Sequence, residues 1–112
     1  MSRLRYLTIP LDEAATEDYY NGVENHVNTI EWSISENEFE QLQESRVFEI
    51  INSHCNLMID DFESEIIERQ SMEKALECIK ETYRQNPNSA LEILLSYTEK
   101  ALKHKTIMAF DF

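Results

Sequence analysis

The sequence predicts an α+β fold: a predominantly helical single domain spanning residues 1–112, with a small antiparallel sheet and a C-terminal helical hairpin. Three observations lead there. Apolar residues keep a helical spacing through most of residues 72–105, the triplet Ile30, Trp32 and Ile34 alternates with polar neighbours, and Ser35-Glu36-Asn37-Glu38 spells a capping box. A chain of 112 residues is one ordinary domain, and 29 of them are Leu, Ile, Val or Phe, enough to bury a core.

Taken in chain order, Arg3 to Ile9 alternates in part and is stopped by Pro10, which gives a short strand. Residues 11–20 lead to Asn21-Gly22. That pair closes a helix if Gly22 turns left-handed, or makes a two-residue hairpin turn, and the lack of alternation in its flanks favours the helix. A strand follows over 27–34. From Ser35 the helix carries Phe39 and Leu42 inward, its phase slips near Ser45, and it resumes with Val47, Ile50, Ile51 and His54, as two short helices or one kinked helix. Residues 57–68 fit either a loop with a strand or a short helix. Ser71 opens a helix with the stripe Met72, Ala75, Leu76, Ile79 and Tyr83, ended by Asn86-Pro87-Asn88. A last helix from Ser89 to about Lys105 buries Leu91, Leu94, Leu95, Thr98, Ala101 and Leu102. Cations at Lys100, Lys103, His104 and Lys105 suit its C-terminal dipole. The tail from Thr106 to Phe112 is expected as an edge strand.

Charge is the strongest functional signal. The net charge is −12, and the imbalance is local: residues 12–68 hold sixteen acids against one base, Arg46, whereas residues 69–112 are nearly neutral. Such a surface repels phosphate backbones and anionic lipid, so neither nucleic acid nor membrane is expected as a direct partner. No apolar stretch is long enough to cross a bilayer and no apolar segment follows the N-terminal basic residues, so a cytoplasmic location is expected.

Motifs for chemistry are missing. A single glycine cannot supply a phosphate loop or a nucleophile elbow. Cys55 and Cys78 make no disulfide framework, and with His54 and His104 they lack zinc-site spacing. The run Asp60-Asp61-Phe62-Glu63-Ser64-Glu65 fails the calcium-loop register. His26 has no nucleophile tied to it by any pattern. The expectation is therefore no enzyme, no cofactor and no metal.

What remains is the acidic surface. Glu36, Glu40 and Glu44 recur four residues apart opposite Phe39 and Leu42. Without matching cations they repel one another by a few tenths of a kcal/mol per pair. Asp60, Asp61, Glu63 and Glu65 continue the sign, with Phe62 among them and Tyr19 and Tyr20 in a second acidic stretch. These aromatics fit either anchors ringed by charge or core side chains. The partner-binding set read from the sequence is Glu36, Glu40, Glu44, Asp60, Asp61, Phe62, Glu63 and Glu65.

The succession Ile34-Ser35-Glu36-Asn37-Glu38-Phe39, Ser45-Arg46-Val47-Phe48-Glu49-Ile50-Ile51-Asn52, Leu57-Met58-Ile59-Asp60-Asp61-Phe62-Glu63 and Ile66-Ile67 resembles small acidic immunity proteins of bacterial polymorphic-toxin systems, including contact-dependent growth inhibition. The resemblance covers residues 34–80. It implies a cytoplasmic protein that binds and neutralises a cognate toxin domain, often a basic nuclease, by occlusion. Electrostatics agrees: carboxylates can occupy a phosphate-binding cleft and speed association toward about 10⁸–10⁹ M⁻¹s⁻¹ at low salt. The alternative is an acidic protein-interaction or nucleic-acid-mimic regulatory module, which would bind several basic proteins instead of one.

Overall fold

A computed structural model describes residues 4–23 and 28–112, so Arg3, His26 and the first residue of the expected 27–34 strand lie outside the described residues. The chain runs β1 (Arg5–Pro10), α1 (Glu13–Tyr20), β2 (Thr29–Ile34), α2 (Glu36–Ser45), α3 (Val47–Cys55), β3 (Ser64–Ile67), a 3₁₀ turn (Arg69–Ser71), α4 (Met72–Gln85), α5 (Ser89–Lys103) and β4 (Met108–Asp111). The α+β class, the small antiparallel sheet and the closely packed helical pair α4–α5 are all present.

The four strands pair antiparallel in the order β2-β1-β4-β3. Leu7 lies opposite both Trp32 and Phe110, and Ile67 lies opposite Met108, so these residues share one face of the sheet. All are buried in a common core with Phe39, Leu42, Ile51, Ile79, Leu91 and Leu94 from the helices. Four phenylalanines, Phe39, Phe48, Phe110 and Phe112, meet edge-on or tilted with centroids 5.2–6.4 Å apart, and so join α2 and α3 to the C-terminal strand.

The tail is a central strand and not the edge strand expected from its sequence. β4 sits between β1 and β3, and every residue from Thr106 to Phe110 is buried. Its weak alternation reflects burial of both faces, which removes the polar positions an edge strand would show.

The local choices have clear causes. Gly22 does adopt a left-handed φ of 71°, closing α1 with the Gly22 and Val23 amides bonded back to Tyr19 and Asp18. The phase slip near Ser45 is a break between two helices. Arg46 takes a left-handed φ of 64°, ending α2 and starting α3, while the Ser45 hydroxyl donates to the Leu42 carbonyl and accepts from the Val47 amide. The capping box is formed in full, with Ser35 Oγ accepting from the Glu38 amide and Glu38 accepting from the Ser35 amide. Residues 57–68 resolve into a loop followed by β3. In the hairpin, Asn88 caps α5, and the stripes are buried as expected except that Tyr83, Leu95 and Leu102 are half-buried.

Candidate functional site

The loop between α3 and β3 carries three of the acids singled out from the sequence, Asp60, Asp61 and Glu63, and it is tightly built. Asn52 on α3 holds it from the inside: its side chain donates to the Ile59 carbonyl at 2.9 Å and accepts from the Ile59 amide at 2.8 Å. Ile59 is thereby sunk into the core. Beyond it, Asp60 to Glu63 make a turn closed by the Glu63 amide donating to the Asp60 carbonyl at 3.2 Å. The turn is fixed outward by the Asp60 carboxylate, which accepts from the Asp61 amide, and by the Phe112 amide, which donates to the Glu63 carbonyl.

Arg5 is the second anchor. This cation on β1 is only 6% exposed, yet it faces two other elements, α2 and the acidic loop. Its Nε and Nη2 donate to the two carboxylate oxygens of Asp61, both at 3.0 Å, and its Nη1 donates to Glu36 at 2.7 Å. The guanidinium lies 3.9 Å from the centre of the Phe39 ring. The bidentate bond to Asp61, with Glu36 adding to it, holds the guanidinium charged against the opposing effect of burial. One buried arginine therefore ties the first strand, the start of α2 and the acidic loop together.

These bonds sort the residues named from the sequence. Asp61 and Glu36 face Arg5. Glu65 is half-buried and folded back, accepting from the amides of Met58 and Ile66, so it braces the loop against β3. Glu44 faces another groove, shared with Gln41 and the Asn86-Pro87-Asn88 corner, while Glu40 is exposed on α2. Asp60 and Glu63 are exposed and, with Glu49, Gln43 and Met58, line a cleft of about 330 Å³ beside α3. The eight residues thus do not form one patch: Asp60, Phe62 and Glu63 stand on the open loop, and the others brace it or lie elsewhere.

Phe62 is the conspicuous member. A core position was one sequence expectation for it, but it is 77% exposed at the third position of the turn, with φ of 68°. That position ordinarily takes Gly or Asn, because a left-handed backbone costs a branched or aromatic residue about 1–2 kcal/mol. Its side chain is largely exposed, so the fold gains little burial from it in return. Met58, four residues earlier, is 75% exposed on the same loop. Of the two tyrosines, Tyr19 is half-buried, whereas Tyr20 is exposed and donates to Glu68 at 3.0 Å.

Sequence reasoning missed Arg5, Asn52, Met58 and Glu49. A signal existed for Arg5, which occupies the apolar register of Arg5-Leu7-Ile9 and so had to face inward with a counter-ion. Asn52 and Met58 left no trace, because their roles depend on a loop whose path is set by contacts distant in sequence.

The chemistry of the remaining clusters is quiet. Burial pushes the Cys55 and Cys78 thiols up from their ordinary range, which keeps them protonated and weakly nucleophilic. His54 Nδ1 lies 2.9 Å from the Ile50 carbonyl, as a helix-edge histidine does. Among the described residues, no three His, Cys, Asp or Glu side chains are grouped to hold a metal ion, and no helix is long and apolar enough to cross a membrane.

No family model matches the chain, and no curated protein matches it. A solved structure does. The chain shares its fold with Neisseria DNA mimic protein DMP12. The two superpose with a TM-score of 0.62 over 98% of this chain and 100% of that one, at 12% sequence identity. At that identity the likeness is one of architecture.

Proposed function

We propose that the protein is an acidic mimic of nucleic acid, which binds the nucleic-acid-binding surface of a basic protein partner and blocks it without catalysis. The observation that carries the reading is the loop at 57–63. It presents exposed Asp60 and Glu63 on a rigid turn, beside Glu49, in a half of the chain with sixteen acids and one base. Preformed carboxylates bind a cationic cleft without the ordering cost that flexible acids would incur. The shared architecture with a DNA mimic protein supports the same reading.

The test is displacement of labelled duplex and single-stranded DNA from basic DNA-binding proteins, set against binding to proteins of similar charge that do not bind nucleic acid. Release of DNA at low salt, with little binding to the controls, is expected. Equal binding to every cationic protein would reduce the surface to a non-specific polyanion.

A second reading, a cytoplasmic immunity protein against one toxin domain of the basic nuclease kind, is favoured by the exposed Phe62 and Met58. Apolar side chains add partner-specific contacts that charge alone does not give. It predicts that one nuclease is bound more tightly than all other basic proteins by several orders of magnitude.

A further inference from the structure

We propose that the open end of the α4–α5 hairpin is a binding site for an alkyl carboxylate, a molecule of the fatty-acid class. The start of α4 and the end of α5 border a groove of about 390 Å³ with an apolar lining of Met72, Ala101 and Leu102. Two cations also line it, Arg69 on the 3₁₀ turn and Lys105 just past α5, and no acid does. Neither cationic side chain has an ion-pair or hydrogen-bond partner among the described residues. Acids outnumber bases by 22 to 10 in this chain, yet these two cations share one groove and take no carboxylate from it. Lys105 has a local reason for its place, since a cation beyond a helix C-terminus meets the negative end of the dipole. Arg69 has none: it precedes α4, where the dipole favours acids. An apolar groove with unpaired cations is complementary to an anion that carries an apolar body.

The lining narrows the ligand further. Its apolar part is aliphatic, with no aromatic side chain on which a base could stack, so the body that fits is an alkyl chain. The planar fork of Arg69 matches a carboxylate head. Asp12, Glu13 and His104 line an adjoining groove that shares Arg69 and Lys105 with this one. Its two acids oppose a head with two negative charges, and a head with one is the better match. The groove is preformed: the Lys105 amide donates to the Leu102 carbonyl at 3.1 Å and the Thr106 amide to the Ala101 carbonyl at 3.0 Å, which fixes the turn that carries Lys105. No residue of the acidic loop takes part, so the proposal stands or falls apart from the mimic reading.

The experiment titrates the full chain with octanoate, below its micelle concentration, and follows the backbone amides by two-dimensional NMR. Saturable shifts are expected at residues 69–72 and 101–106. Hexanoate should bind about tenfold more weakly, the effect of two methylenes withdrawn from an apolar contact. Arg69→Gln is expected to weaken octanoate about tenfold or more, whereas Lys80→Gln, the same charge change at an exposed position on α4, leaves it unaltered. Both positions are exposed, and an amide spectrum unchanged elsewhere confirms that the variants fold. Octan-1-ol binding as tightly as octanoate would mean a groove indifferent to charge, and acetate shifting the same amides equally would mean cations with no use for the groove. Either result, no saturable shift at these residues, or full affinity in Arg69→Gln would overturn the proposal.

Discussion

The two halves of this molecule handle charge and backbone in opposite ways. In the hairpin of α4 and α5, cations and anions nearly balance, Arg84 pairs with Glu81 one turn away, and both helices bury regular stripes. In the segment from 12 to 68 a single arginine stands against sixteen acids, and the chain turns left-handed at Asn28, Arg46, Asn56 and Phe62. Among the described residues outside that segment, only Lys105 is a non-glycine with positive φ. The hairpin is built as stability alone would have it. The acidic half holds surplus negative charge and a largely exposed aromatic at a left-handed turn. Features that cost stability and persist are where a partner surface is to be sought.

Breaking each half should therefore give different signatures. The largest effect belongs to the hairpin: Leu94→Ala, at a fully buried position, should destabilise by about 3 kcal/mol by urea melting while the partner's affinity for the remaining folded protein is unchanged. Next comes Arg5→Ala, which removes the bidentate donor to Asp61 and a charged donor to Glu36. A loss of about 2–4 kcal/mol is expected, somewhat below a fully buried pair because Glu36 is half exposed. This variant should also loosen the loop, read as faster amide exchange at 59–63. Reversing Asp61 would break the same bond, so it is a test of the fold and not of the surface.

Ser35→Ala should cost about 1 kcal/mol, because it removes the hydroxyl that caps α2 and leaves the Glu38 half of the box. The smallest effect is at Asp12, whose carboxyl is held below its ordinary range by the Ala15 amide and then by the Asn28 side chain. A depressed folded value means its contribution is complete above the ordinary carboxylate range and is lost as pH falls through the lower folded value. Asp12→Asn keeps the cap but does not titrate, so its stability curve should be flatter on the acid side, measured as urea midpoint against pH.

These contrasts also explain what could be read from the residues alone. The hairpin was legible because helical spacing and the Asn86-Pro87-Asn88 corner are local signals. The capping box at Ser35 and the left-handed Gly22 were legible for the same reason. The central place of β4 was not, since strand order depends on pairing Tyr6 with Asp111 and Glu65 with Phe110, far apart in the chain. The acidic site was legible as composition: its residues were named, but the sequence could not show that Arg5 takes Asp61 and Glu36, that Glu65 folds back, or that Phe62 stands outside the core.

The central claim is that the loop acids, and not acidity in general, engage the partner. Two charge-matched variants decide it: Asp60→Asn with Glu63→Gln on the loop, and Glu92→Gln with Glu99→Gln on the exposed side of α5. Displacement of labelled DNA from a basic DNA-binding protein, titrated across salt concentration, is the measurement. The loop variant should lose about tenfold or more at low salt and show a shallower salt dependence, while the α5 variant matches wild type. Equal losses in the two variants would contradict the claim and leave only net charge at work.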